Sequence, residues 1–217
     1  MKKYKYLLFD LDGTITDSFD SVANSFIYAL SFYNVKVKNK EELRPILGPP
    51  LKDSFINLYG FTESQSDEAV KKYRERYAIY NTVENKLYNG IDTVLSGLKD
   101  AGYKLILATS KPEKYAIKIL EYFNLLEYFY DVCGASFDES RSEKIDVLKY
   151  LIDKNNISDL SDAVMIGDRK YDLEAAQILG VDAIGVLYGY GSFEELSSYS
   201  NVFLAPTPQM LYNYLVD

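Results

Sequence analysis

From Gly90 to its end the chain alternates short apolar runs with stretches of helical periodicity, and nothing else in it limits the fold so strongly. Runs at 103–109, 130–135, 163–167, 183–187 and 202–204 read as strands. The stretches at 91–101, 112–123, 143–153 and 171–179 read as helices, and a last helix closes the chain. Strands joined through helices pair in parallel, with right-handed crossovers. One more strand, Tyr4-Lys5-Tyr6-Leu7-Leu8-Phe9, stands far upstream, and the block after it carries no strand pattern. There Asp17 or Ser18 opens a helix running to about residue 33, with Val22, Phe26, Ala29 and Leu30 on one face. Asn39-Lys40-Glu41 opens a short helix stopped near Pro45, and 51–58 reads as a helix ended at Gly60. Thr62-x-x-Gln65 starts a helix to about Tyr80, striped by Val70, Tyr73, Tyr77 and Tyr80. The expected architecture is a Rossmann-like, three-layer α/β core with a mostly parallel sheet, residues 1–15 and 88–217. An all-helical domain, 16–87, is inserted after its first strand.

At 217 residues the chain is long enough for one sizeable core and a smaller insert. A net charge of −8 with no Lys/Arg run argues against nucleic acid or an anionic membrane as partner. Met1-Lys2-Lys3-Tyr4 is basic, but the apolar stretch behind it is too short for a signal peptide, and no window reaches transmembrane length. The expectation is a soluble, cytoplasmic protein, a monomer or homodimer. The single cysteine, Cys133, sits in a strand-like run and reads as core. Histidine is absent, which excludes Ser-His-Asp chemistry, histidine-ligated metals and phosphohistidine. Acid–base work must fall to carboxylates, Lys, Tyr or Cys.

Asp10-Leu11-Asp12-Gly13-Thr14 follows the first strand. It sets two carboxylates on the edge where open α/β sheets bind ligands. The same residues suit a plain turn. With one residue between them the two carboxylates point the same way on an extended backbone, where a cation relieves their repulsion. Oxygen-only ligands suit Mg²⁺. Thr109 and Ser110 end the next core strand; Ser110-x-x-Glu113 also reads as a capping box, while the Thr109 hydroxyl and free N–H groups of the helix start suit a phosphate. Ser140-x-x-Glu143 places Lys144 in a first helical turn, against the helix dipole but in line with Leu148 and Leu151 on the buried side. An inward lysine there meets carboxylates or phosphate, or snorkels at the core edge. Gly167-Asp168 follows another strand, with Asp172 one helical turn on, as an acidic pair or as a cap with a chance neighbour.

The order and character of these stretches resemble the haloacid dehalogenase superfamily along the whole chain, with the helical block in the place of that family's cap. Asp17-Ser18, Leu47-Gly48-Pro49-Pro50-Leu51 and Thr109-Ser110-Lys111-Pro112 are most similar to its phosphoglycolate phosphatase branch. The resemblance implies a Mg²⁺-dependent phosphatase acting on a small phosphorylated metabolite. Asp10 is then the nucleophile and Asp12 the general acid–base, while Thr109 and Lys144 hold the transferring phosphoryl group. Mg²⁺ is held by Asp10, the Asp12 carbonyl and Asp168, with Asp172 behind them. The cap closes over the site on hinges near 16–18 and 84–89. Ser110, Lys111, Gly48, Arg44 and Lys52 are candidate substrate contacts, although Arg44 and Lys52 taken singly also read as surface charges.

Phosphoglycolate, nucleoside 5′-monophosphates and pyrophosphate stay open as substrates. The dehalogenase branch lacks the second aspartate, which is present here. The phosphonatase branch needs a cap lysine that has no match, and the sugar-phosphate mutase branch uses a cap histidine that this chain does not have. A non-catalytic relative that binds phosphate or a partner is a reading of another class, and the complete set of acidic and basic residues argues against it. Gly189-Tyr190-Gly191 follows a strand but lacks the third glycine of a dinucleotide loop, and Ser192-x-x-Glu195 reads as a capping box.

Overall fold

A computed structural model of the chain describes residues 4–136, 138 and 140–217, so the basic start Met1-Lys2-Lys3 lies outside the described residues. The described chain falls into two compact units. One ends at Asp17 and resumes at Lys86; the other is Ser18–Asn85.

The first unit holds the strands β1 (Tyr6–Phe9), β2 (Thr16–Asp17), β3 (Lys86–Leu87), β4 (Lys104–Pro112), β5 (Phe129–Ala135), β6 (Ala163–Gly167), β7 (Asp182–Val186) and β8 (Phe203–Ala205). Six of them form one sheet in the order β5-β4-β1-β6-β7-β8, and all its pairings are parallel. β1 is central, with β4 on one side and β6 on the other. The chain reverses its direction of winding there, the point of an open α/β sheet whose carboxyl edge holds ligands. β1 shows the period of two: Leu7 and Phe9 enter one core, Tyr6 and Leu8 the other. Helices cover both faces, which is why the central strands β1 and β6 are buried along their whole length. In the other unit α1 (Phe19–Ser31), α2 (Leu51–Tyr59) and α3 (Glu63–Tyr80) pack together around stacked Phe26 and Phe55 rings, 4.0 Å between centroids. The sheet is covered on one side by α4 (Ile91–Asp100), α5 (Glu113–Tyr122) and, later, α9 (Pro208–Val216). The other side carries α6 (Lys144–Lys154), α7 (Lys170–Leu179) and the short α8 (Phe193–Ser197). Cys133 is buried in β5.

Several local readings change. α1 begins at Phe19; Ser18 takes its N-cap position at φ −96°, ψ 4° but makes no side-chain cap bond, and Asp17 belongs to β2. β2 pairs antiparallel with β3, a ribbon of two residues a side at the boundary of the two units. The capping box at Thr62 and Gln65 forms, but the buried stripe of α3 is Ser66, Ala69, Tyr73 and Tyr77; Val70 is only partly buried and Tyr80 is exposed. Ser110 caps nothing. The chain stays extended through Lys111, as a residue before proline prefers, and α5 starts only after Pro112. Ser140 bonds Asp138 rather than capping α6, which Lys144 opens. Among the described residues no helix is long and apolar enough to cross a membrane.

Candidate active site

Asp10 leaves the end of β1, its N–H bonded to the carbonyl of Ile166 in β6 at 2.9 Å. Gly13 then turns the chain with φ +86°, a conformation that costs a side chain dearly. A Cβ at Gly13 would also overlap the carboxylate of Asp168, which approaches from the end of β6. Lys144 reaches the same point from the start of α6. Its ammonium lies 2.7 Å from Asp10 Oδ1, 2.8 Å from Asp172 Oδ1 and 2.7 Å from the carbonyl of Ala108. Its N–H groups donate to Asp10 Oδ1 and to the Ala108 carbonyl, while Asp172 Oδ1 is paired with it by charge and has no hydrogen bond among the described residues. Lys144 and Asp172 are buried, and Asp168 is fully so.

Three carboxylates, Asp10, Asp168 and Asp172, thus offer oxygens within 4.8 Å of one another, with one ammonium among them. Burial pushes the Asp10 carboxyl up to about 6; Lys144 opposes the shift and Asp172 adds to it. Asp168 is held well above the usual carboxylate range, first by burial and then by Asp172 and Asp10. Burial alone would lower Lys144, but the Asp10 and Asp172 charges hold it above its ordinary value. The tyrosine N–H of residue 190 donates to Asp168 Oδ2 at 2.7 Å, while Asp168 Oδ1 is buried with no hydrogen-bond partner. Surplus negative charge and an unpartnered carboxylate oxygen fit a hard divalent cation with oxygen ligands.

Asp12 stands apart from this cluster, paired with Lys111 at 2.7 Å to Oδ1 and 2.6 Å to Oδ2. Strand alternation at the end of β4 leaves Ser110 exposed and Lys111 buried with Thr109, where the pairing of β4 with β5 also shifts register. Thr109 is buried, and its hydroxyl accepts the Lys111 N–H at 3.2 Å. The structure therefore brings Asp10, Asp12, Thr109, Lys111, Lys144, Asp168 and Asp172 to one sheet edge and leaves Ser110 exposed. Gly48, Arg44 and Lys52 belong to the helical unit. Gly48 turns its loop with φ +108°, Arg44 pairs with Glu41 at 2.6 Å, and Lys52 pairs with Glu63 at 2.6 Å and Asp67 at 2.8 Å.

The family model for haloacid dehalogenase-like hydrolases matches residues 7–186, every strand end that carries these side chains included. The chain belongs to the haloacid dehalogenase-like hydrolase family. It is 36% identical to a 5′-nucleotidase of Pseudomonas aeruginosa, over 91% of this chain and 89% of that one. It is 29% identical to the phosphoglycolate phosphatase of Vibrio parahaemolyticus, over 93% and 91%. A solved structure of protein tyrosine kinase A (PtkA) from Mycobacterium tuberculosis superposes with a TM-score of 0.85 at 34% identity, over 100% of each chain. With phosphatase-named relatives of this kind, the chain is a haloacid dehalogenase-like phosphoric monoester hydrolase.

Sequence reasoning counted Lys111 among the substrate contacts without foreseeing its partner, and it missed one loop altogether. The pairing of Lys111 with Asp12 joins the end of β4 to the turn after β1, a contact that no local residue pattern announces. Gly189-Tyr190-Gly191, weighed as a nucleotide loop, packs against Asp168 instead: a Cβ at Gly189 would overlap Asp168 and the carbonyl of Gly13, and one at Gly191 the carbonyl of Asp168. The available signal was two glycines directly after a strand on the same sheet edge.

Proposed function

We propose that this hydrolase cleaves a small phosphomonoester with Mg²⁺, through an aspartyl-phosphate on Asp10. The observation that carries the reading is the buried Asp10 carboxylate at the end of the central strand, held by Lys144, with Asp168 and Asp172 beside it. Asp10, Asp168 and the Asp12 carbonyl would hold the ion, with Asp172 supporting them, and the ion would shield the anionic phosphate from the anionic nucleophile. Lys144 fixes Asp10 and sets its own charge against the phosphoryl group. An Asp10 oxygen attacks phosphorus as the ester P–O bond breaks, and Asp12 gives its proton to the departing oxygen. Asp12 then takes a proton from water as that water attacks phosphorus, which releases phosphate and restores the Asp10 carboxylate. Thr109, already accepting from Lys111, keeps its hydroxyl proton to donate to a phosphoryl oxygen. Lys111 holds both Asp12 oxygens before substrate binds; a substrate anion that draws its ammonium away would free Asp12 to take up the proton it gives to the departing oxygen.

The relatives' names order the substrates to try. The 5′-nucleotidase is the more similar of the two phosphatases compared, so nucleoside 5′-monophosphates come first and phosphoglycolate second, followed by pyrophosphate and sugar phosphates. The test is phosphate release from this panel by the purified protein, with and without Mg²⁺, beside Asp10→Asn. Mg²⁺-dependent turnover that is lost in the variant supports the reading. Turnover retained in Asp10→Asn, or none on any compound, rejects it.

A further inference from the structure

The Gly189-Tyr190-Gly191 loop has no part in the steps above, yet it is built tightly around Asp168. Its glycines lie where any Cβ would strike Asp168 or the carbonyl of Gly13. The backbone N–H of Tyr190 takes Asp168 Oδ2 at 2.7 Å, which leaves Oδ1 buried and unpartnered. The Tyr190 hydroxyl donates to Asp17 Oδ1 at 2.9 Å. Asp17 lies in β2, the last residue before the helical unit. One residue therefore joins a carboxylate of the acidic cluster to the ribbon where the chain leaves the core.

We propose that Tyr190 is a positioning residue for the metal centre. Its N–H fixes the rotation of the Asp168 carboxylate so that Oδ1 is presented to the ion, and its hydroxyl, anchored on Asp17, holds the loop that carries the N–H in place. The proposal rests on the Mg²⁺ reading above. Groups that orient a metal ligand without touching the metal set the affinity of the site. Tyr190→Phe removes the hydroxyl and keeps the ring, and Asp17→Ala removes its acceptor.

The experiment is calorimetric titration of metal-free protein with Mg²⁺ alone, for the wild type, Tyr190→Phe, Asp17→Ala, the double variant and Asp168→Asn. Each single variant at the anchor is expected to bind Mg²⁺ about five- to tenfold more weakly. The double variant is expected to lose less than the sum of the two singles, because the two share one bond. Wild-type Mg²⁺ affinity in Tyr190→Phe and Asp17→Ala, with binding lost in Asp168→Asn, overturns the positioning role alone. So does a double variant whose losses add. Wild-type affinity in Asp168→Asn overturns the metal reading, and the proposal with it.

Discussion

Lys144 is the residue on which the electrostatics of the site turn. It is buried and directly paired with two carboxylates, with Asp168 close by. Removing one partner of a buried ion pair leaves the other's charge uncompensated. Lys144→Met is expected to destabilise the metal-free protein by about 3–5 kcal/mol near neutral pH, as read from urea unfolding. The loss is expected to shrink near pH 5, where Asp10, raised to about 6, takes up a proton. A loss under about 1 kcal/mol at neutral pH, the scale of an exposed pair, would contradict the geometry. Lys144 was legible in the sequence because Leu148 and Leu151 follow it at helical spacings, and all three are buried. Asp10 and Asp168 were legible because each follows an apolar strand directly. Lys111 was less so: its partner Asp12 lies on the turn after β1, far off in sequence, and the composition of β4 does not encode that contact.

At the scale of elements, two apparent capping boxes behave differently. At Thr62 the box forms, with the Thr62 N–H donating to Gln65 Oε1 at 2.9 Å and the Gln65 N–H donating to Thr62 Oγ1 at 3.3 Å. At Ser110 the strand runs on to Pro112, which disfavours helical backbone at Lys111, so no helix end is there to cap. Thr62→Ala is therefore expected to cost about 1 kcal/mol of stability. Ser110→Ala is expected to stay within about 0.5 kcal/mol of the wild type. Equal losses in the two variants, measured by denaturant unfolding, would contradict the assignment. Buried strands were readable from their unbroken apolar runs, as the match of β6 to residues 163–167 illustrates. The ribbon of β2 and β3 was not, since two residues a side leave no period to detect.

For the whole molecule, the acidic cluster ties stability to pH and to metal. Asp10 and Asp168 have carboxyls raised above their unfolded values, so the folded chain binds protons that the unfolded chain has released. Their contribution to stability is fullest below about pH 4 and is lost as pH rises through the raised values. Asp168→Asn removes one such charge while keeping an acceptor for the Tyr190 N–H. In Mg²⁺-free buffer its Tm is expected to match the wild type near pH 4 and to exceed it increasingly toward neutral pH. A difference that does not change with pH would contradict the charge crowding. Mg²⁺ at a hundred times its Kd is expected to stabilise the wild type by about 2.7 kcal/mol and Asp168→Asn by less. The central claim, however, is covalent chemistry at Asp10. Its most direct test is a single turnover with substrate carrying radiolabelled phosphate, quenched in acid and followed by hydroxylamine, which cleaves acyl phosphates. The account predicts protein-bound label that hydroxylamine releases and that Asp10→Asn never acquires; free labelled phosphate formed at full rate with no label on the protein at any time would contradict it.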